Sequence, residues 1–311
     1  MEAVVKEQLA GLCSAVHFDE PMTRHTSLRV GGSADALVYP KTLDELAGVL
    51  RLAAATKLPV LVLGAGSNVL VRDKGVRGIL IHLSQGFAKM EVEGEQDGRV
   101  SVYAEAGVGL PRLVDFTAEE GLSGLEVVSG VPGNVGGGLV MNAGTHEGDI
   151  SGAVVSVTFM DKEGRLNTWP KEKIRYAYRE SHFPKGSVIV SGRFGLTRMA
   201  SEIVRGKIQK HRTYRLETQP LNVPNIGSVF KNPVGERGQA PLHAAKLIEE
   251  AGLKDVRVGG ARISPKHANW IVNEGGATAR DVLALIGLMK DKVKEKFGVT
   301  METEVRVVGE E

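Results

Sequence analysis

Between residues 130 and 144 the chain reads GVPGNVGGGLVMNAG, six glycines in fifteen positions with no charged side chain. Glycine admits positive φ and lets one backbone come close to another surface, at an entropic cost to the folded state. A hairpin turn needs only one or two glycines. A second glycine-bearing stretch, LPVLVLGAGSNVLVRD, runs over 58–73. Two such segments in one chain point to one large ligand held between two pieces of backbone.

The loop Gly64-Ala65-Gly66-Ser67-Asn68 begins like a dinucleotide fingerprint, but the third glycine of G-x-G-x-x-G would fall at Val69, and the following residues read as strand rather than helix. No G-x-x-x-x-G-K-[ST] occurs, so a Rossmann site and a P-loop are both poor readings. Successive N–H groups around the glycines could still form an anion nest, with Ser67 and Asn68 adding side-chain donors. A tight turn without a ligand is the competing reading of this loop. The 130–144 segment shifts the balance. Its glycines offer backbone donors at close range, and Val131, Pro132, Val135 and Met141 offer apolar contact. That pairing suits a planar ring with a polar edge and an apolar face, such as a flavin.

Of the 311 residues, 42% are hydrophobic and 24% charged, ordinary globular values for two or three domains. A net charge of +2 argues against a nucleic-acid binder. No apolar run reaches the ~18 residues of a membrane span. The N-terminal MEAVVKEQLAGLCSAV lacks a secretory pattern. Cys13 is the single cysteine, expected as a buried apolar group, and the eight histidines show no ligand spacing, so no metal site is expected. A cytoplasmic location fits.

The fold class expected is α+β, in three domains: 1–85, 86–199 and 200–311. The first has a helix over 42–56, opened by Thr42 and Glu45 and with Leu43, Leu46, Ala47, Leu50 and Ala54 as its core stripe. A buried strand at 60–63, the glycine turn, and strands at 68–72 and 79–83 complete this small α/β unit. The second is strand-rich, with hairpins over 91–105 and 154–168, a helix over 110–120 and a strand over 187–199. The third has a basic helix over 201–211, an irregular proline-marked loop, helices over 241–251 and 278–297, and a last strand over 303–308. The long helix opens with a Thr278–Asp281 box and carries Val282, Leu285, Met289 and Val293 inward.

Seven motifs then stand in order: HTSLRVGGSAD (25–35), GAGSNVLV (64–71), SGVPGNVGGGLVMNAG (129–144), YRES (178–181), TQPLNVPNIGSVFKNP (218–233), KHANWIVN (266–273) and TEVRVVG (303–309). Together they span nearly the whole chain. In this the chain resembles the UDP-N-acetylenolpyruvoylglucosamine reductases, flavoenzymes of peptidoglycan precursor synthesis, and within them the subclass with a compact loop after YRES. Asn134, where the family usually has a small hydroxyl or alanine, His146, where tyrosine is common, and Thr303, in place of a usual proline, depart from the pattern.

The resemblance implies a vanillyl-alcohol-oxidase-type FAD-binding fold from the first two domains, with the third binding the substrate. It implies noncovalent FAD held by Gly64, Ala65, Gly66, Ser67, Asn68, Val69, Gly130, Val131, Pro132, Gly133, Gly136, Gly137, Asn142 and Ala143. NADPH is the implied cosubstrate and an enolpyruvyl UDP-sugar the small-molecule substrate, with no nucleic-acid or membrane partner, in a monomer. Hydride addition to the terminal vinyl carbon leaves an anion that needs a facing cation and a proton for the inner carbon. Arg179 is the implied cation, Ser228 the proton donor, and Glu304 a carboxyl that is protonated or paired with Arg179. Arg215, Lys231 and Asn232 are implied to hold the UDP. Taken locally, Arg179 reads as a surface arginine, Ser228 as a turn serine and Glu304 as a strand-edge glutamate. The helix bearing Lys207, Lys210, His211 and Arg212 reads mostly as a solvated basic face. An FAD oxidase on the same scaffold would want a base or a covalent flavin tether, and neither is evident. A noncatalytic flavin binder would have no reason to keep Arg179, Ser228 and Glu304.

Overall fold

Apolar alternation is clearest over Arg99–Glu105, where Val100, Val102 and Ala104 are buried and their neighbours are not. That strand lies inside the largest sheet. Its order is 166–170, 154–160, 188–198, 99–105 and 90–96, all antiparallel, with Leu122–Ser123 added to the end of Val188–Arg198. The computed structural model describes residues 1–234 and 242–311. They divide into one unit of Met1–Glu20, Asp35–Ala65 and Arg77–Tyr214 and another of Pro21–Ala34, Gly66–Val76 and Arg215–Glu311.

The first unit contains this sheet and a four-stranded sheet ordered Val16–Pro21, Ser33–Val38, Val76–His82, Val60–Leu63. Helix Leu43–Thr56 starts where Thr42 Oγ1 accepts from Glu45 N at 3.1 Å. The Glu45 carboxylate reaches Lys41 N instead of Thr42 N, so only half of the expected box forms. Leu46, Val49, Leu50 and Ala53 are its buried face, and the expected Leu43 and Ala54 are exposed. The expectation of a buried strand at 60–63 is corrected as well. Val60–Leu63 is an edge strand, parallel to Val76–His82, and its outer residues Val60 and Val62 are 36% and 41% exposed.

The second unit has a four-stranded antiparallel sheet ordered Asn225–Ser228, Trp270–Asn273, Ala261–Ile263, Arg257–Val258. Helix Ala279–Phe297 covers it with Val282, Leu285, Met289 and Val293, which share a core with Ile226, Phe230, Ile248, Ile263 and Ile271. The Thr278–Asp281 capping box is complete. The Asp73 carboxylate adds a second cap, accepting from Ala279 N at 2.7 Å and Arg280 N at 3.0 Å.

Strand Val69–Val71 does not return to the sheet of Val60–Leu63. It pairs in parallel with Arg306–Val308, which ties residues 66–76 to the C-terminal part of the chain. The final strand is therefore shorter than 303–308: Thr303 bridges to Phe230, and Glu304 lies ahead of the strand. The helix expected over 201–211 continues to Thr218. The expected helix over 241–251 is Ala244–Glu250, and Pro241 lies outside the described residues.

Candidate active site

In the second unit four distant segments meet around the proline-marked loop. Gly66 has φ +64°, and a Cβ there would lie 2.1 Å from His25 O, so this backbone packs directly on residues 25–26. Ser27 N donates to Gly66 O at 3.1 Å, and Ser27 Oγ donates to Asn225 O at 2.7 Å. That one serine joins the glycine turn to the strand Asn225–Ser228. Two residues on, Gly227 has φ +74°, and a Cβ on it would stand 3.3 Å from Ser67 O. Ser228 lies opposite Trp270 in the antiparallel register, so the two side chains share a face. Val229 O accepts from Glu304 N at 2.8 Å, Asn68 Nδ2 donates to Glu304 O at 3.2 Å, and Arg306 N donates to Asn68 O at 3.1 Å. The segments of Ser67–Asn68, Ser228 and Glu304, selected from separate motifs, are thus linked by direct hydrogen bonds and close backbone packing. Ser228 and Glu304 are both half-buried.

Lys231 Nζ pairs with Glu302 Oε1 at 2.6 Å, and Asn232 Oδ1 accepts from Ala244 N at 3.1 Å. Arg215 differs from both. Its Nε is fully buried without a partner, and its guanidinium pairs with no acidic group among the described residues. Burial pushes its pKa down to about 10, so it stays charged at neutral pH. A half-buried cation that no described acid balances is a costly arrangement that an anionic ligand would relieve. Trp270 Nε1 and Gln219 Oε1 of the same unit are also buried without partners.

On the rest of helix Ser201–Thr218, Arg205, Lys207 and Lys210 are exposed, whereas His211 is buried and Arg212 half-buried. Lys207 meets Glu126 at 3.4 Å, Arg212 meets Asp115 at 2.6 Å, and Lys210 and the buried His211 meet Glu147 at 3.6 and 3.4 Å. The solvated-face reading holds for Lys207 and Lys210, and is corrected for His211 and Arg212, which pack inward on their acidic partners.

In the first unit the 130–144 segment holds a short helix, Val135–Val140, which its glycines conceal in the sequence. The hairpin of Arg175–Ala177 and Glu180–His182 is strapped across this segment by three bonds. Asn142 Nδ2 donates to Ala177 O at 2.9 Å, Ser181 Oγ to Val140 O at 2.8 Å, and Arg179 Nη2 to Gly144 O at 2.7 Å. Arg179 sits in the hairpin turn at φ +57°, a strained conformation for a non-glycine residue and one that concentrates at functional sites. Its guanidinium lies over the Tyr178 ring, 4.9 Å from the centroid. It is half-buried and braced, not a free surface arginine.

Each glycine segment by itself carries donors of the kind that a flavin dinucleotide needs. The backbone N–H groups of Ala65, Gly66, Gly133 and Gly137 donate to no group among the described residues. A Cβ on Gly137 would meet nothing within 4 Å, whereas one on Gly136 would press on Ala106 at 3.0 Å. Asn134 Nδ2 donates to Gly107 O at 2.7 Å, which leaves its buried Oδ1 without a partner, facing Gly64. Among the described residues no cluster of three or more His, Cys, Asp or Glu could hold a metal, and no helix is long and apolar enough to cross a membrane.

Sequence reasoning gave Ser27, Asn269 and Asn273 no role. Asn269 holds both backbone groups of Phe230, and Asn273 Nδ2 donates to Leu28 O at 3.0 Å. Each lies in a quoted motif, but its partner is far away in sequence.

Fold and site define a class first: an FAD-dependent oxidoreductase, with residues 34–168 matching the family model described as FAD binding domain. Residues 219–308 match the C-terminal domain of UDP-N-acetylenolpyruvoylglucosamine reductase. A reductase of that name from Symbiobacterium thermophilum is 44% identical over 93% of this chain and 91% of its own length. One from Halalkalibacterium halodurans is 40% identical over the full length of both chains. The crystal structure of the reductase from Thermus caldophilus matches with a TM-score of 0.79 at 36% identity, covering 95% of this chain and 98% of that one. The chain belongs to the UDP-N-acetylenolpyruvoylglucosamine reductase family.

Proposed function

We propose that this chain reduces the enolpyruvyl group of UDP-N-acetylglucosamine enolpyruvate to UDP-N-acetylmuramate, with NADPH as electron source, in peptidoglycan precursor synthesis. The observation that carries the reading is the bonded meeting of the Ser67–Asn68, Ser228 and Glu304 segments. In this reading 1–85 and 86–199 are the lobes of the flavin fold, 200–311 binds the sugar nucleotide, and the enzyme works as a cytoplasmic monomer.

When bound, FAD supplies the hydride for the terminal vinyl carbon, having been reduced by NADPH. The N–H groups of Ala65, Gly66, Gly133 and Gly137, with Asn142 and Ala143 bracing the second segment, would hold it noncovalently. Arg179, anchored through Gly144 O, sets its positive charge against the substrate carboxylate, where charge grows. The Ser228 hydroxyl gives its proton to the inner carbon. A serine is a weak acid, so the transfer relies on the basicity of that carbon and on placement by the Gly227 turn and the Val229–Glu304 bond. Glu304 acts as a protonated or Arg179-paired carboxyl, because a free anion there would oppose the substrate. Arg215 takes the diphosphate, its charge, unpaired among the described residues, being the main support for a subsite there, with Lys231 and Asn232 as further ligands.

The purified protein is expected to be yellow, to bleach with NADPH without oxygen, and to regain its colour on addition of the enolpyruvyl substrate. A reduced protein that stays bleached with that substrate present sinks the assignment. Ser228→Ala should slow this reoxidation by roughly 10²–10⁴ and leave reduction by NADPH near the wild-type rate. Equal slowing of both steps would make Ser228 a structural residue.

A further inference from the structure

Beyond Ser228 the chain leaves its sheet, and one side chain takes over the ladder. Val229 N still donates to Asn269 O at 2.9 Å. At Phe230, however, the backbone N donates to Asn269 Oδ1 at 3.0 Å, and Asn269 Nδ2 donates to Phe230 O at 2.8 Å. The amide thus imitates a neighbouring strand. The opposite edge of the same segment is bonded to the C-terminal stretch: Glu304 N and Val305 N reach Val229 O, Lys231 N reaches Glu302 O at 3.0 Å, and Phe230 bridges Thr303. Residues 229–231 therefore run between the Asn269 amide on one edge and 302–305 on the other. Asn269 is 4% and Phe230 1% exposed, so water cannot replace either bond. With both ends of the amide engaged, its orientation is fixed.

We propose that Asn269 is a positioning residue for the reaction: by gripping both backbone groups of Phe230 it sets Ser228 relative to Glu304, without itself meeting the substrate. The inference rests on the assignment of Ser228 as proton donor.

Asn269→Asp tests it. A neutral carboxyl can accept from Phe230 N and donate to Phe230 O, repeating both bonds. A carboxylate cannot donate, and it sets a negative oxygen against Phe230 O. Burial resists its ionisation but does not abolish it. Reoxidation of the reduced enzyme by the enolpyruvyl substrate should therefore recover toward wild type near about pH 6 and fall by about 10² toward about pH 9, a loss typical of a small misplacement. Reduction by NADPH should follow the wild-type profile throughout. The ionisable groups nearby, His267 on the same segment and Lys231, Glu302 and Glu304 on those facing it, are common to both proteins, so the wild-type profile is the control. Asn269→Leu, which can make neither bond, should be slow in reoxidation at every pH.

An Asn269→Asp enzyme with the wild-type profile overturns the proposal, as does equal slowing of both half-reactions. So does a protein that is inactive or unfolded at both pH values, because the neutral acid keeps both bonds. Ser228→Ala separates the two readings. If it reoxidises at the wild-type rate, the proton-donor assignment falls whatever the Asn269 variants do. If it is slow while Asn269→Asp is pH-flat, only the positioning role falls.

Discussion

Gly137→Ala should improve the empty fold and harm the loaded one. Gly137 lies inside helix Val135–Val140, is exposed, and has nothing within 4 Å of an ideal Cβ. For the apoprotein the substitution is a glycine-to-alanine change in a helix interior, worth up to about 1 kcal/mol of stabilisation. In a domain of this size that is a rise in Tm of roughly 2–4 °C. If a flavin rests against the open face, the new methyl takes up its contact distance. A loss of about 1.4 kcal/mol would raise the Kd for FAD about tenfold. Two neighbouring substitutions calibrate the result. A Cβ on Gly138 would stand 3.0 Å from a Leu110 methyl, so Gly138→Ala should lower stability. One on Gly66 would lie 2.1 Å from His25 O at φ +64°, so Gly66→Ala should cost more than the ~1–2 kcal/mol of the left-handed conformation alone. Calorimetry of flavin-stripped protein and FAD titration by fluorescence quenching give both numbers. A Gly137→Ala apoprotein less stable than wild type, or one that binds FAD unchanged, would refute the view that this glycine keeps a ligand surface open.

Arg215→Met removes a buried charge that no described acid balances, so the apoprotein's melting temperature should hold or rise, while the KM for the sugar nucleotide rises by about 10–100-fold, the worth of a charged hydrogen bond. A fall in stability with unchanged KM would remove Arg215 from the subsite. Asp73→Ala frees two N–H groups of helix Ala279–Phe297 and should cost about 0.5–2 kcal/mol in urea unfolding of the C-terminal unit; no change in its midpoint would mean that the Thr278 box suffices. Burial alone would raise the Glu126 carboxyl, but the Ser123 hydroxyl, the Gly124 N–H and the Lys207 charge outweigh it and hold it below the usual carboxylate range. Its folded pKa being depressed, its stabilisation is present above the unfolded pKa of about 4.3 and is lost as pH falls through the folded value. Thermal melts between about pH 3 and 6 should show a shallower acid loss for Glu126→Gln than for wild type.

What was legible in the sequence was local. The Thr278 box and the spacing of Val282, Leu285, Met289 and Val293 need only a few turns of helix, and both stand in the structure. Alternation over Arg99–Glu105 needs only a pleat. The expectations that changed turn on partners. Val60–Leu63 is apolar enough for a central strand, yet it is an edge strand because the next strand leaves for a partner near the C-terminus. His211 and Arg212 of helix Ser201–Thr218 read as part of a solvated face until Glu147 and Asp115 arrive from elsewhere in the chain.

The same distinction explains the motifs. HTSLRVGG supplies Ser27, which reaches Asn225 across 198 residues, and GAGSN supplies Asn68, which reaches Glu304 across 236. KHANW supplies Asn269, which reaches Phe230 across 39. A period or a cap cannot reveal bonds of that range, because nothing in a short window requires the partner. They converge on 225–231 and on the 302–305 segment bonded to it, where the strand Asn225–Ser228 gives way to irregular backbone. A short strand end that must present a hydroxyl at a fixed point takes part of its rigidity from outside its sheet, and small polar residues on distant segments are the means. Short polar side chains gripping backbone groups therefore account for what looks, in the linear chain, like a scatter of unrelated motifs.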